Sequence, residues 1–388
     1  MERLKEEAAQ LLTERILPFW MKLKDERNGG FYGRVNADLA VDRVAPKGGV
    51  YGTRLLWTFS AAYRAVGNAA YLACAEHAYA YLRERLHDPV HQGIYWLTDA
   101  QGQPLDDRKH LYAQAFAIYA LSEYYRASGN PSALELAQRL FELIERVGFE
   151  PASGRYKEEF TRDWRERPNE LLGGKGTAEL TMNTHLHLLE AYTNLYRAWP
   201  SAEVKERLTH LVHLFRDRIY DPDTGYMIVF MDRGWNRLTD LISYGHDIEA
   251  SWLIDDALRA LGIEDAACDR MIRRIAYTIA DAAMLPDGSV ANEKEGDRLD
   301  DTRVWWVQAE AVVGFVNAWS RTGDSRFGEL AQQVWSYIGE RIVDARPSGE
   351  WHAEVNAAGQ PARKDAAGPW KANYHNGRCC LQLMERLA

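Results

Sequence analysis

Cysteine is scarce in this chain: four residues in 388, at Cys74, Cys268 and the adjacent pair Cys379 and Cys380. Vicinal cysteines rarely bridge each other, and no spacing here suits zinc, so neither a disulfide scaffold nor a structural zinc site is expected. The reading is a reduced, cytoplasmic protein. Positive charge is not in excess either. The net charge is −9 with both signs mixed throughout, which argues against nucleic acid or an anionic membrane as partner. No apolar run reaches the length of a membrane span. The opening segment, Met1-Glu2-Arg3-Leu4-Lys5-Glu6-Glu7, reads as a charged amphipathic helix and not as a signal peptide. No Pro/Gly/Ser-rich linker divides the chain, so residues 1–388 are read as a single domain.

What the chain does have is glycine at a regular beat. Glycines lie in short polar turns, mostly beside aromatic residues, at Gly30, Gly93, Gly154, Gly225, Gly288 and Gly349, with gaps of 63, 61, 71, 63 and 61 residues by subtraction. So steady a period means one supersecondary unit repeated six times, with each glycine in a short β-hairpin loop. The fifth copy, Gly288-Ser289, lacks the aromatic and is degenerate. Between the turns, apolar residues recur at helical spacing: Leu55, Leu56, Phe59, Ala62, Tyr63 and Val66 in one segment, Ala113, Phe116, Ala117, Ala120, Leu121 and Tyr124 in the next. Each repeat has room for two helices of ordinary length. Six helix pairs closing on themselves give an all-α (α/α)6 barrel. A solenoid uses shorter repeats, roughly 33–47 residues. Thirteen Trp and twenty Tyr exceed what packing asks for, and flat aromatic faces lining a central cavity suit sugar rings.

Histidine is the informative residue type. Of eleven, His77, His87, His91, His110, His210, His213 and His352 sit in polar or surface-like settings. The other four stand in unusual company. Residues two apart on a helix point about 200° from each other, so His185 and His187 cannot share a site, whereas Asn183 and His187 can. His246 and Glu249 are i, i+3, with Trp252 one step further along the same stripe; Trp306 and Glu310 are i, i+4. A metal site would use the same residue types, but among these four histidines no H-x-x-x-H or H-E-x-x-H spacing supports one, and the chain has no C-x-x-C. Metal-free acid/base chemistry is the expectation, with no cofactor.

Six segments together carry a specific likeness: Gly52–Ser60, Lys109–Phe116, Asn183–His187, His246–Trp252, Trp305–Glu310 and Tyr374–Arg378. In these the chain resembles the N-acylglucosamine 2-epimerase superfamily, and within it the cellobiose 2-epimerases. The resemblance implies an (α/α)6 barrel and cofactor-independent epimerisation at C2 of the reducing-end glucose of β-1,4-linked disaccharides. It implies a small-molecule disaccharide as the partner, and a monomer or weak homodimer. Arg54, His187, His246, Glu249, Trp306, Glu310 and His375 match the family's essential positions; Tyr112, Asn183, Trp252 and Trp370 match its sugar-contacting ones. Trp306 is preferred to Trp305 for its spacing to Glu310. Thr161–Thr181, with Gly173-Gly174-Lys175-Gly176, is expected to be a mobile loop near the site.

The chemistry so implied needs an open-chain sugar, because C2–H is acidic only beside a carbonyl. Two bases on opposite faces of the resulting enediolate would invert C2, and His246 and His375 are assigned to that pair. Arg54 and His187 are expected to stabilise the enediolate, Glu249 to orient His246, and Glu310 to hold a sugar hydroxyl or a histidine. An N-acylglucosamine epimerase or monosaccharide isomerase would share this chemistry; Trp370, placed to stack on a second sugar, separates the disaccharide reading. An inverting glycoside hydrolase would use Glu249 and Glu310 as its carboxylates. A non-catalytic sugar-binding protein would leave the histidines without a purpose.

Overall fold

The computed structural model describes residues 1–174 and 178–388; Lys175, Gly176 and Thr177 of the expected loop lie outside the described residues. The described residues form twelve helices: α1 (2–21), α2 (Gly49–Val66), α3 (69–86), α4 (Leu111–Ser128), α5 (Pro131–Val147), α6 (Met182–Ala198), α7 (202–219), α8 (Tyr244–Leu261), α9 (Ala266–Ala282), α10 (Trp305–Thr322), α11 (325–342) and α12 (Tyr374–Arg386). None is long and apolar enough to cross a membrane.

The even-numbered helices make an inner ring. Each touches the next, and α12 returns to α2; the odd-numbered helices pack outside them, with α1 against α12. The sixth helix pair is therefore assembled from the two ends of the chain. This is the (α/α)6 barrel that the six-fold glycine period predicts.

Local chemistry explains the alternation. Gly67, Gly129, Gly262 and Gly323 end α2, α4, α8 and α10 in the left-handed conformation, with φ of 77°, 70°, 64° and 71°; glycine adopts this at no steric cost. Asn68, Asn130, Asp265 and Asp324 then cap the outer helix that follows by accepting backbone N–H bonds. Four outer helices run through a π-helical turn, at Leu12–Ile16, Leu82–Leu86, Phe215–Ile219 and Ile338–Ile342. Both ends of each turn are apolar and buried.

All six expected hairpins are present. Antiparallel bridges join Lys24 to Phe31, His87 to Ile94, Met284 to Val290 and Val343 to Trp351. Short strand pairs join Phe149–Glu150 to Arg155–Tyr156 and Tyr220–Asp221 to Tyr226–Met227. A second set of ladders zips neighbouring repeats together: Lys47–Gly48 with Leu97–Thr98, Lys109–His110 with Glu159–Phe160, Leu180–Thr181 with Phe230–Met231, Leu241–Ser243 with Glu293–Glu295, and Arg303–Val304 with Glu354–Val355. Val35 and Ala367 bridge and complete the circle. The first strand of each ladder leads straight into an inner helix. The N-termini of the inner helices are thus pinned together on one face of the ring.

His110 differs from its expected surface-like setting. It is fully buried, accepts the Tyr112 N–H at 3.1 Å to cap α4, and lies 3.1 Å from Asn169 Oδ1.

Candidate active site

The site is built where the inner helices begin. Each contributes from its first two turns: Arg54 on α2, Tyr112 on α4, Asn183 and His187 on α6, His246 and Glu249 on α8, Trp306 and Glu310 on α10, His375 on α12. Three helices share one register, His187-x-x-Glu190, His246-x-x-Glu249 and His375-x-x-Arg378. An i, i+3 spacing puts both members of each pair on one face. That repeated spacing is the sequence signal for Glu190 and Arg378, which the prediction of site residues passed over.

Arg378 is the centre of the arrangement. It is buried, and its guanidinium donates to Glu190, Glu249 and Glu310 and meets the Tyr374 hydroxyl. The three carboxylates come from three different helices, so one planar fork ties α6, α8, α10 and α12 together. Burial opposes ionisation of Glu190, but Arg378 and His187 overcome it and hold the carboxyl down to about 2. Burial, reinforced by the neighbouring Glu310, pushes Glu249 up to about 7. Burial likewise raises Glu310, against the pull of Arg378.

The histidines stand around this centre. His375 Nδ1 lies 2.7 Å from Glu310 Oε1. With the carboxylate accepting, Nδ1 carries the proton and Nε2 is left as a base. Burial first, and then Arg54 and Arg378, hold His375 well below the usual imidazole range. His246 Nδ1 lies 2.8 Å from Ser243 Oγ. Its enclosure, and after that the charge of His187, pushes it down to about 3. Both rings are neutral at pH 7. The Trp306 ring touches both, with centroids 4.7 Å from His246 and 5.5 Å from His375. Trp305 is buried beside it, its ring centre 5.6 Å from that of His375 and 4.9 Å from Lys371 Nζ. His187 Nδ1 bonds Glu190 Oε2 at 2.9 Å, and its ring rests on Phe116 at 4.6 Å and Tyr112 at 5.0 Å.

At the rim, Arg54 donates to the Tyr112 hydroxyl at 2.9 Å and to the Trp370 carbonyl at 3.2 Å, with its guanidinium over Phe116. Trp370 is 50 % exposed, a large apolar side chain open to solvent, with Trp96 and Tyr112 at 5.7 and 6.1 Å. Asn183 Oδ1 has no hydrogen-bond partner among the described residues.

Two expectations need correction. Glu249 does not orient His246: it faces Arg378, and Ser243 holds the histidine ring. Trp252 does not present a face to a sugar in the reaction site. It is buried, its indole donates to Glu310 at 3.1 Å, and the Arg378 guanidinium covers its ring at 4.7 Å. It lies one turn deeper than Glu249, which makes it floor. Glu310 holds a histidine, so of its two expected roles that one is seen. His185 does point away from His187, as the helix geometry requires; its Nδ1 lies 2.8 Å from the Thr181 carbonyl oxygen. Ligand atoms of Glu249, Glu310 and His375 come within 4.8 Å of one another, a spacing a cation could bridge. The Arg378 guanidinium already meets both of those carboxylates and supplies the positive charge there.

Comparison with known proteins shows the family and the fold. The family model for N-acylglucosamine 2-epimerase matches residues 30–379. The chain is 47 % identical over 384 residues to a cellobiose 2-epimerase of Ruminococcus albus, covering 98 % of each chain. It is 40 % identical over 388 residues to one of Dictyoglomus turgidum, covering 99 % of each. Its fold superposes on the solved structure of the cellobiose 2-epimerase of Bacillus thermoamylovorans with a TM-score of 0.98, 50 % identity and full coverage of both chains. An inner ring carrying three histidines around one buried arginine, and a family match spanning nearly the whole sequence, lead to one conclusion: the chain belongs to the N-acylglucosamine 2-epimerase family.

Proposed function

We propose that this protein epimerises C2 of the reducing-end glucose of β-1,4-linked disaccharides, cellobiose and lactose among them, with residues 1–388 acting as one catalytic domain. The observation that carries the reading is the pair of neutral imidazoles, His246 and His375, that both pack against the Trp306 ring. Relatives at 40 and 47 % identity that are cellobiose 2-epimerases support the substrate class.

The reaction starts with ring opening, which makes C1 a carbonyl and C2–H acidic. One histidine removes the C2 proton and the other returns a proton on the opposite face. An imidazole that is neutral in the free enzyme is ready as a base. Negative charge building on the adjacent enediolate then favours the imidazolium needed for return. Glu310 stabilises that charge on His375 through Nδ1. Arg54, and His187 when both its ring nitrogens carry protons, offer directed donors to the enediolate oxygens in a site walled by aromatic rings. Asn183, with an unpartnered amide oxygen, and Tyr112 are placed to hold sugar hydroxyls. Trp252 and Arg378 act from below, by fixing Glu310.

The carboxylate geometry goes against an inverting hydrolase. Inversion needs two carboxyl groups about 6.5–9.5 Å apart with water between them. Glu249 and Glu310 offer oxygens within 4.8 Å of each other and share one guanidinium.

Incubation with cellobiose in deuterated water, followed by NMR, tests the proposal. Deuterium at C2 of a mannose-configured reducing end is expected. Release of free glucose, or no exchange at C2, would overturn it.

A further inference from the structure

Behind the histidines the ring encloses a second cavity, of about 490 Å³. Its lining comes from the middle and C-terminal parts of the inner helices: Ala61 and Ala65 of α2, Tyr119 of α4, Asn194 of α6, Asp256 of α8 and Met384 of α12. The histidines come from the N-terminal halves, so the two spaces face opposite ends of the barrel. At this volume the cavity is within the range of small-molecule sites, roughly 300–1,000 Å³.

The chemistry of the wall narrows the class of ligand. Four cationic side chains, Lys5, Arg64, Arg126 and Arg197, face four acidic ones, Glu123, Glu190, Asp256 and Glu385. The balance favours no ion of either sign. Arg64 and Arg126 both pair with Glu123, at 2.7 and 2.8 Å, and Arg197 pairs with Asp256 at 2.7 Å. Donors and acceptors are therefore held in fixed directions. One wall is aromatic: Trp57 and Tyr119 stack at 5.0 Å with 13° between planes. The buried Trp57 indole N–H has no partner among the described residues. A flat aromatic wall beside alternating donors and acceptors of no net charge matches a ring with many hydroxyls.

We propose that this cavity is a second, non-catalytic binding site for a neutral polyhydroxylated ligand of mono- or disaccharide size. Its floor is shared with the reaction site. Glu190 lines the cavity and accepts from Arg378 and His187, and Trp252 lines it while donating to Glu310. Occupancy bears on the same groups that position His187 and His375.

The probes are methyl β-glucoside and methyl β-cellobioside, whose blocked anomeric carbon cannot open and react. Titration calorimetry on the whole protein is expected to show two binding events with methyl β-cellobioside. Ala65→Trp, which fills the cavity from an exposed position, should leave one event and unchanged turnover of cellobiose at low concentration. Arg126→Met, which removes a lining donor without adding bulk, should weaken the same event about 10-fold or more, the scale of a lost charged hydrogen bond. A single event in the parent protein that survives Ala65→Trp would overturn the proposal. So would a binding event seen with inorganic phosphate and not with the glycosides, and abolished by Ala65→Trp.

Discussion

Glu310 Oε1 is shared by His375 and Arg378: the histidine Nδ1 and the arginine Nη2 each lie 2.7 Å from it. One carboxylate thus sets the tautomer of a reacting base and ties that base to the charge centre beneath it. His246 has no such carboxylate; a serine hydroxyl, able to donate or accept, holds its Nδ1. The two bases are supported differently, and their variants test the assignment.

His246→Ala and His375→Ala should each lower the epimerisation rate by a factor of roughly 10² to 10⁴, the range for a lost general acid or base. His185→Ala should do far less, because its ring turns to the Thr181 carbonyl behind the helix. Steady-state rates on cellobiose check this; a His185 effect larger than that of His187 would contradict the placement of α6.

Trp370→Ala should lower kcat/KM for cellobiose by about 10-fold or more, taking a stacked aromatic at ~1–3 kcal/mol by analogy with base stacking. Glucose, which has no second ring, should be turned over much as before. Half of the Trp370 surface is exposed, so truncation leaves little of the core disturbed. Equal losses on both sugars would refute stacking.

Arg378→Leu should destabilise the fold by about 3–5 kcal/mol, the scale for leaving a buried partner charge uncompensated. Three carboxylates depend on this guanidinium. Arg378→Lys should recover only part of the loss, since an ammonium lacks the planar fork that reaches all three. Urea unfolding of the three proteins measures the difference.

Extensive treatment with a chelator should leave the rate unchanged, because Arg378 supplies the positive charge among Glu249, Glu310 and His375. A loss of activity that a divalent ion restores would show that the metal-free reading is wrong.

Asp247 offers a test by pH. Gln114 and Gln308, at the same place in α4 and α10, grip the backbone N–H and C=O of Ile94 and Val290. Asp247 accepts the Met227 N–H at 2.8 Å, but its second oxygen has no partner among the described residues. Burial pushes this carboxyl well above the usual range, against the weaker pull of Met227 N–H and Arg237. The folded state keeps a proton that the unfolded state gives up, so stability falls as pH rises above the ordinary carboxylate range. Asp247→Asn removes that term. Its Tm should exceed that of the parent at pH 8, with the gap closing towards pH 4. A gap that does not change with pH would show that Asp247 is ionised in the fold.

Much of the molecule was legible in one dimension. Glycines spaced 61–71 residues apart marked the six hairpins, because five of the turns hold their glycine at positive φ and at the sixth, Gly349, a Cβ would run into Asp344. Helical spacing separated His185 from His187 and put Trp306 with Glu310, because a regular helix decides which residues share a face. Spacing could not say what stands across the barrel. Glu249 meets Arg378 from 129 positions away, and His375 meets Glu310 from 65. Local periodicity holds no record of such pairs, so Glu249 was read toward its near neighbour His246 and Trp252 toward a ligand. The pairing of α1 with α12 is likewise a product of ring closure. Burial completes the picture: the same imidazole or carboxyl titrates normally in water and far from it here, and only the packed tertiary structure decides how much water each one keeps.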